Sequence, residues 1–239
     1  MLDFEREVHK CHKCKDDELL ISVVRYFPVY SFGEIKPGMD FVVVGVNPSD
    51  QEYEGQDAPL NADPHNLVAR SESQRGYFRK YLERGESLYP YFREISGFFD
   101  DQNRGFFGDA VKRKLGYDKS PWEKVGCFDL VKCPTRCSEG QWTWIGEKRR
   151  QTFIRNCEQY LRRQLEEYKP RNILAYGRDV GDWFEKYLKV ECIEWEITKM
   201  KLNNNAVRLL FVTQRQGNKH SKPEVIWINR KILEMLNSE

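Results

Sequence analysis

Residues 156–177 read NCEQYLRRQLEEYKPRNILAYG, and this stretch decides the fold class. From Lys148 onward, the apolar side chains Phe153, Cys157, Tyr160, Leu161, Leu165 and Tyr168 recur at steps of three and four. That spacing predicts a helix over 148–168 with one buried face. Pro170 offers no N–H to continue a helix and ends it. Asn172–Tyr176 (NILAY) follows at once, and Gly177 closes it. A short apolar run of this kind suits a strand covered on both faces. A helix running straight into a buried strand is half of a βαβ unit.

Three more strand-like runs lie outward from it: Phe41–Val46 (FVVVGV), Cys127–Val131 (CFDLV) and Arg208–Thr213 (RLLFVT). A last helix is predicted over Pro223–Leu236, with proline near its start, where a missing N–H costs nothing. The expectation is an α/β fold: a three-layer α/β/α sandwich around a central, mostly parallel four-stranded sheet. Residues 64–121 hold Tyr77, Phe78, Tyr81, Tyr89, Tyr91, Phe92, Phe98 and Phe99. They predict two or three helices, a helical insertion within one domain spanning 1–239.

The 239 residues suit one such domain, and 40% apolar with 13% aromatic content allows a real core. A formal net charge of +2 gives no global basic field, so any nucleic-acid contact needs a local patch. No run approaches the roughly 18–20 apolar residues of a membrane helix. The N-terminus is charged from Asp3 and has no apolar h-region, which predicts no signal peptide and a cytoplasmic protein. Structural disulfides are rare there, and seven cysteines is an odd number.

In parallel sheets, sites form in loops beyond the carboxyl ends of strands. The first such loop is GVNPSDQEYEG, Gly45 to Gly55. Pro48 fixes its own φ and steers Asn47 away from helical geometry, holding a carboxamide at a strand's end. Taken alone, the pattern reads first as an ordinary Asn-Pro turn, since turn signals of this kind are common. The last strand runs into Gln214 and then RQGNKHSKP, Arg215 to Pro223, which is either a solvated basic loop or a site. Lys148-Arg149-Arg150 adds charge at a helix start, or is simply an exposed face.

Cys11 and Cys14 form a C-x-x-C pair, a pattern that fits zinc, redox chemistry or chance. Cys133 follows the second strand directly, and Cys157 lies on the apolar face of the 148–168 helix. Four thiolates converge if the N-terminal arm folds back over that strand end. Cys127 and Cys192 read as small core residues.

GVNPS, the C-x-x-C pair, DLVKC (Asp129 to Cys133) and residues 156–177 together resemble the uracil-DNA glycosylase superfamily, nearest its iron–sulfur family-four and family-five types. The resemblance covers the first 55 residues and most of the chain from Gly126. It implies a [4Fe–4S] cluster on Cys11, Cys14, Cys133 and Cys157. Cys137, in a longer insertion, is an alternative to Cys133, and a set with Cys137 also suits zinc. The first motif departs from the iron–sulfur branch, with Val46 in place of Glu and Ser49 in place of Gly.

Carried over by position, Asn47 orients the attacking water and Tyr53 is the nearest aromatic to stack on an extruded base. Asp129 stands where family four has the base-reading Asn. An ionised carboxylate offers acceptors only. Asp129 is therefore protonated by burial, or reads a base other than uracil, or faces the core. His220 matches a displaced second-motif His that meets charge on the departing base, with Gln214 in register as its substitute. Ser49, Arg215, Lys219 and Ser221 are candidate DNA contacts. The implied function is a monomeric DNA glycosylase of base excision repair, hydrolysing the N-glycosidic bond of uracil or a related damaged base. The alternative is a non-catalytic iron–sulfur nucleic-acid-binding member of the same fold. A zinc-stabilised binding module and a redox sensor are more distant rivals.

Overall fold

The computed structural model describes residues 7–8, 10–11, 13–14, 33, 35–46, 90–99, 106–132, 145–215 and 220–238. In chain order the elements are β1 (Phe41–Gly45), α1 (Pro90–Phe99), α2 (Phe106–Leu115), β2 (Val125–Asp129) and α3 (Glu147–Tyr168). Then come β3 (Asn172–Tyr176), α4 (Arg178–Trp183), β4 (Ile197–Leu202), β5 (Asn205–Val212) and α5 (Lys222–Asn237). A 3₁₀ turn, Pro121–Glu123, precedes β2, and a turn of π-helix, Phe184–Leu188, extends α4.

The strands form one sheet in the order β2-β1-β3-β5-β4. The first four are parallel, with Phe41 beside both Val125 and Asn172, and Asn172 beside Arg208. The sheet has five strands, not the expected four. The extra strand, β4, pairs antiparallel with β5 at the edge. Its text, ITKMKL, alternates, burying Met200 and Leu202 while Lys199 and Lys201 face water. Lysines on an edge strand discourage pairing with other chains. Asn203 and Asn204, at φ 47 and 67°, make the left-handed two-residue turn that joins β4 to β5.

Side-chain alternation splits the core in two. On one face Val42, Val44, Phe128, Ile173, Ala175 and Phe211 pack on α3 and α4. On the other, Phe41, Val43, Cys127, Leu174, Tyr176 and Leu210 pack on α1, α2 and α5. Helices therefore cover both faces, giving the three layers. Each large apolar side chain fully buried between layers stabilises by roughly 1.5–3 kcal/mol. α3 ends as its sequence predicts. Lys169 turns left-handed at φ 46°, its N–H donates to Leu165 O at 3.0 Å, and Pro170 follows.

The chain passes from β1 to β2 on one side, then returns to β3 on the other. Such a reversal opens a crevice past the carboxyl ends of β1 and β3. Of the 64–121 segment, α1, α2 and the 3₁₀ turn are described, and 64–89 and 100–105 lie outside the described residues.

Candidate functional site

The carboxyl ends of the parallel strands carry the chemistry. Pairing between β1 and β2 runs past the strands proper. Leu130 N–H donates to Gly45 O and Val131 N–H to Val46 O, both at 2.8 Å. The start of the first loop is thereby fixed against the end of β2. Gly177 closes β3 at φ +110°, a conformation that favours glycine, and a Cβ there would stand 2.9 Å from Val46 Cγ2. The glycine lets β3 end directly behind Val46. Asn47, Ser49 and Tyr53, which follow Val46 in the sequence, lie outside the described residues, as do Cys133, Cys137 and Lys219.

Asp129 is the last residue of β2 and is 5% exposed. By alternation it shares the face of Val125 and Cys127. Burial pushes its carboxyl up to about 6, with the Lys132 ammonium pulling the other way. Lys132, not foreseen from the sequence, is wholly buried and donates to Gln164 Oε1 of α3. Burial pulls its ammonium down to about 8, opposed by Asp129 and the thiols of Cys157 and Cys127.

The cysteines draw together in part. Cys14 and Cys157 belong to one core cluster, with Cys11 packed against it. Asn156 Nδ2 donates to Cys14 Sγ at 3.2 Å, and the Tyr160 hydroxyl hydrogen-bonds Cys11. The Lys132 backbone N–H donates to the Cys157 thiol, so the chain reaches Cys157 one residue before Cys133. Burial pushes that thiol up to about 12; the Lys132 N–H opposes the rise and the two neighbouring cysteines add to it. Among the described residues no group of three His, Cys, Asp or Glu is arranged to hold a metal ion. Three thiols in one neighbourhood are nevertheless the donor chemistry an iron–sulfur cluster takes. Cys127 is buried in the core as expected, whereas Cys192 sits half-buried in the loop before β4 and not within the core.

The loop between β5 and α5 is held by carboxylates. His220 is 7% exposed, so at this residue the solvated-loop reading fails. Its ring packs edge-on against Phe98 at 5.1 Å and lies 6.1 Å from the Tyr176 ring. Glu94 Oε1 accepts from His220 N–H at 2.6 Å and pairs with Nδ1 at 2.7 Å, while Nε2 faces Thr213 O at 3.1 Å. Burial, then the Glu94 charge, push the Tyr176 phenol up, with Arg215 opposing, so that hydroxyl stays neutral.

Arg215 lies between Glu224 at 2.9 Å and Glu194 at 3.3 Å, and its guanidinium stacks 5.5 Å over Trp195. Thr213 Oγ1 donates to the same Glu194. Ser221 caps α5, its N–H and hydroxyl donating to Glu224 at 2.7 and 2.8 Å. Those two bonds, then Arg215, hold the Glu224 carboxyl below its usual range. Gln214 is exposed beside them. No local pattern marks Glu94 or Glu194, because the contacts that define them are tertiary.

Against known proteins, no curated sequence matches the chain significantly. The family model described as the Uracil DNA glycosylase superfamily matches residues 32–232. That span takes in every strand of the sheet and each loop start described above. A doubly wound sheet with its polar groups gathered at the strand ends, matched over most of its length, leaves one family assignment: the chain belongs to the uracil DNA glycosylase superfamily.

Proposed function

We propose that the protein is a DNA glycosylase of base excision repair, hydrolysing the N-glycosidic bond of a deaminated or damaged base. The observation that carries this reading is superfamily membership over residues 32–232. DNA is the substrate, and a nucleotide is extruded from the stack at a cost of a few kcal/mol, least where the base is mispaired. Bond cleavage leaves positive charge on the sugar and negative charge on the base. Asn47 orients water, since a carboxamide is not a base. The His220 ring meets charge on the base. Asp129 reads the base edge, and Tyr53 stacks on it.

The cluster is part of the same proposal. Cys11, Cys14, Cys133 and Cys157 would hold [4Fe–4S], which supplies a structural cross-link between the N-terminal arm, the end of β2 and α3. Support comes from the shared neighbourhood of Cys11, Cys14 and Cys157 and from the Lys132 N–H on Cys157.

The test is cleavage of labelled oligonucleotides carrying uracil, hypoxanthine, xanthine, a thymine·guanine mispair or oxidised guanine, with alkali to reveal abasic sites. Product from any one of them supports the reading. Folded, metal-loaded protein that binds DNA and yields no product overturns it in favour of a non-catalytic member. Iron and sulfide analysis tests the cluster separately. Cys157→Ser is expected to lose the visible absorbance while Cys192→Ser keeps it, and zinc without sulfide would sink the cluster.

A further inference from the structure

The helical segment between β1 and β2 contributes a side chain to the end of β5. We propose that Glu94, on α1, is the positioning residue for His220, an inference that rests on the glycosylase reading. One carboxylate oxygen takes two contacts from a single residue, the backbone N–H at 2.6 Å and ring Nδ1 at 2.7 Å. A backbone anchor and a ring anchor together fix both where His220 sits and which way its ring turns.

The partners dictate the protons. Glu94 has no hydrogen to give, so Nδ1 carries one and donates it. Nε2 faces the Thr213 carbonyl, also an acceptor, at 3.1 Å. Both contacts are satisfied in full only by a ring with a proton on each nitrogen. The two bonds are unequal. The Nδ1 bond is short and charge-assisted, and the Nε2 bond is longer and goes to a neutral carbonyl. On the glycosylase reading, Nε2–H is the donor that exchanges partners, giving up Thr213 O for the departing base.

The surroundings shield the Glu94 contact from water. The His220 side chain is wholly shielded and that of Glu94 is 13% exposed. Phe98 and Tyr176 wall the ring, and Tyr176 stays neutral. The nearby Arg215 is engaged with Glu194 and Glu224, which leaves Glu94 to His220.

The experiment compares wild type, Glu94→Gln and Glu94→Asp on the base that wild type cleaves best. Glu94→Gln is expected to lower kcat about tenfold to a hundredfold with KM for DNA unchanged. Glu94→Asp should recover part of the loss. Unchanged kcat in Glu94→Gln overturns the proposal, as does a loss that appears wholly in KM. Proton NMR reads the same contact without turnover. Wild type should show a strongly deshielded Nδ1–H resonance, assigned by its loss in His220→Asn and missing from Glu94→Gln. If wild type cleaves nothing, the glycosylase reading fails, while the resonance still decides whether Glu94 holds the ring. If Glu94→Gln does not fold, absence of the resonance from wild type overturns the proposal, and its presence there with partial activity in Glu94→Asp supports it.

Discussion

Lys132 Nζ donates to Gln164 Oε1, and neither side chain reaches solvent. The bond ties the end of β2 to α3, between Asp129 and Cys157. A buried ammonium is costly unless its donors are met. Gln164→Leu keeps the volume and removes the acceptor, and is expected to cost about 2–4 kcal/mol in denaturant unfolding. Gln164→Glu, which restores an acceptor and adds a countercharge, should lose much less. Lys132→Met combined with Gln164→Leu should lie close to wild type below about pH 6, where the buried Asp129 carboxyl is neutral and no charge is left in the core. A single-variant loss under about 0.5 kcal/mol would mean that the ammonium depends on other partners.

Asp129 sets a pH dependence. Its carboxyl is pushed up to about 6 by burial. Below that value it is neutral and offers a donor beside an acceptor, as an Asn would; above it, only acceptors remain. If Asp129 reads uracil, excision needs the neutral form, so the rate falls as pH rises through about 6. Asp129→Asn should abolish that fall and raise uracil excision at pH 7 relative to wild type. The check is kcat/KM for uracil from pH 5 to 8 in both proteins. Parallel profiles would remove Asp129 from the reading of uracil.

How much of this was legible depends on how local the signal is. Helix 147–168 and strand 172–176 were readable because Phe153 to Tyr168 repeat at helical spacing and Pro170 separates the two. The strand β2 begins two residues before the expected Cys127–Val131 run. Its first residues, Val125 and Gly126, carry little pattern, while the Leu130 and Val131 that follow it look strand-like and continue the pairing as bonded loop. β4 is hard to read because ITKMKL has no continuous apolar run and its lysines interrupt the apolar positions, although Asn203-Asn204 is a hairpin signal. Glu94 was beyond reach, since its partner stands 126 residues away and no local pattern marks a carboxylate that will turn inward.

Arg215 was expected on phosphate, yet it is held by Glu194 and Glu224 at 3.3 and 2.9 Å. A cation already paired releases few counterions from DNA when it docks. Arg215→Ala should therefore change affinity for undamaged duplex little and leave the salt slope within error of wild type. Removing both countercharges, Glu194→Gln with Glu224→Gln, should free the guanidinium and steepen the slope by about one. Fluorescence anisotropy across a salt series measures both. A slope that flattens by about one in Arg215→Ala would show that the guanidinium leaves its carboxylates for phosphate.

Gly177 links the frame to the first loop. Its N–H donates to Val212 O at 2.9 Å, so the residue cannot slide along the sheet. At φ +110° an added Cβ is strained whatever space surrounds it, and here it also meets Val46 Cγ2 at 2.9 Å. Gly177→Ala is expected to cost about 1–3 kcal/mol in stability through the backbone alone. The clash adds a second effect, because Val46 must move and Asn47 is bonded to it. Turnover should therefore fall more than stability predicts. The double variant Val46→Ala with Gly177→Ala separates the two terms. It should recover turnover by giving the new methyl room, while the φ strain keeps its stability low. Turnover that stays low in the double variant would assign the loss to the backbone at 177 and not to displacement of the first loop.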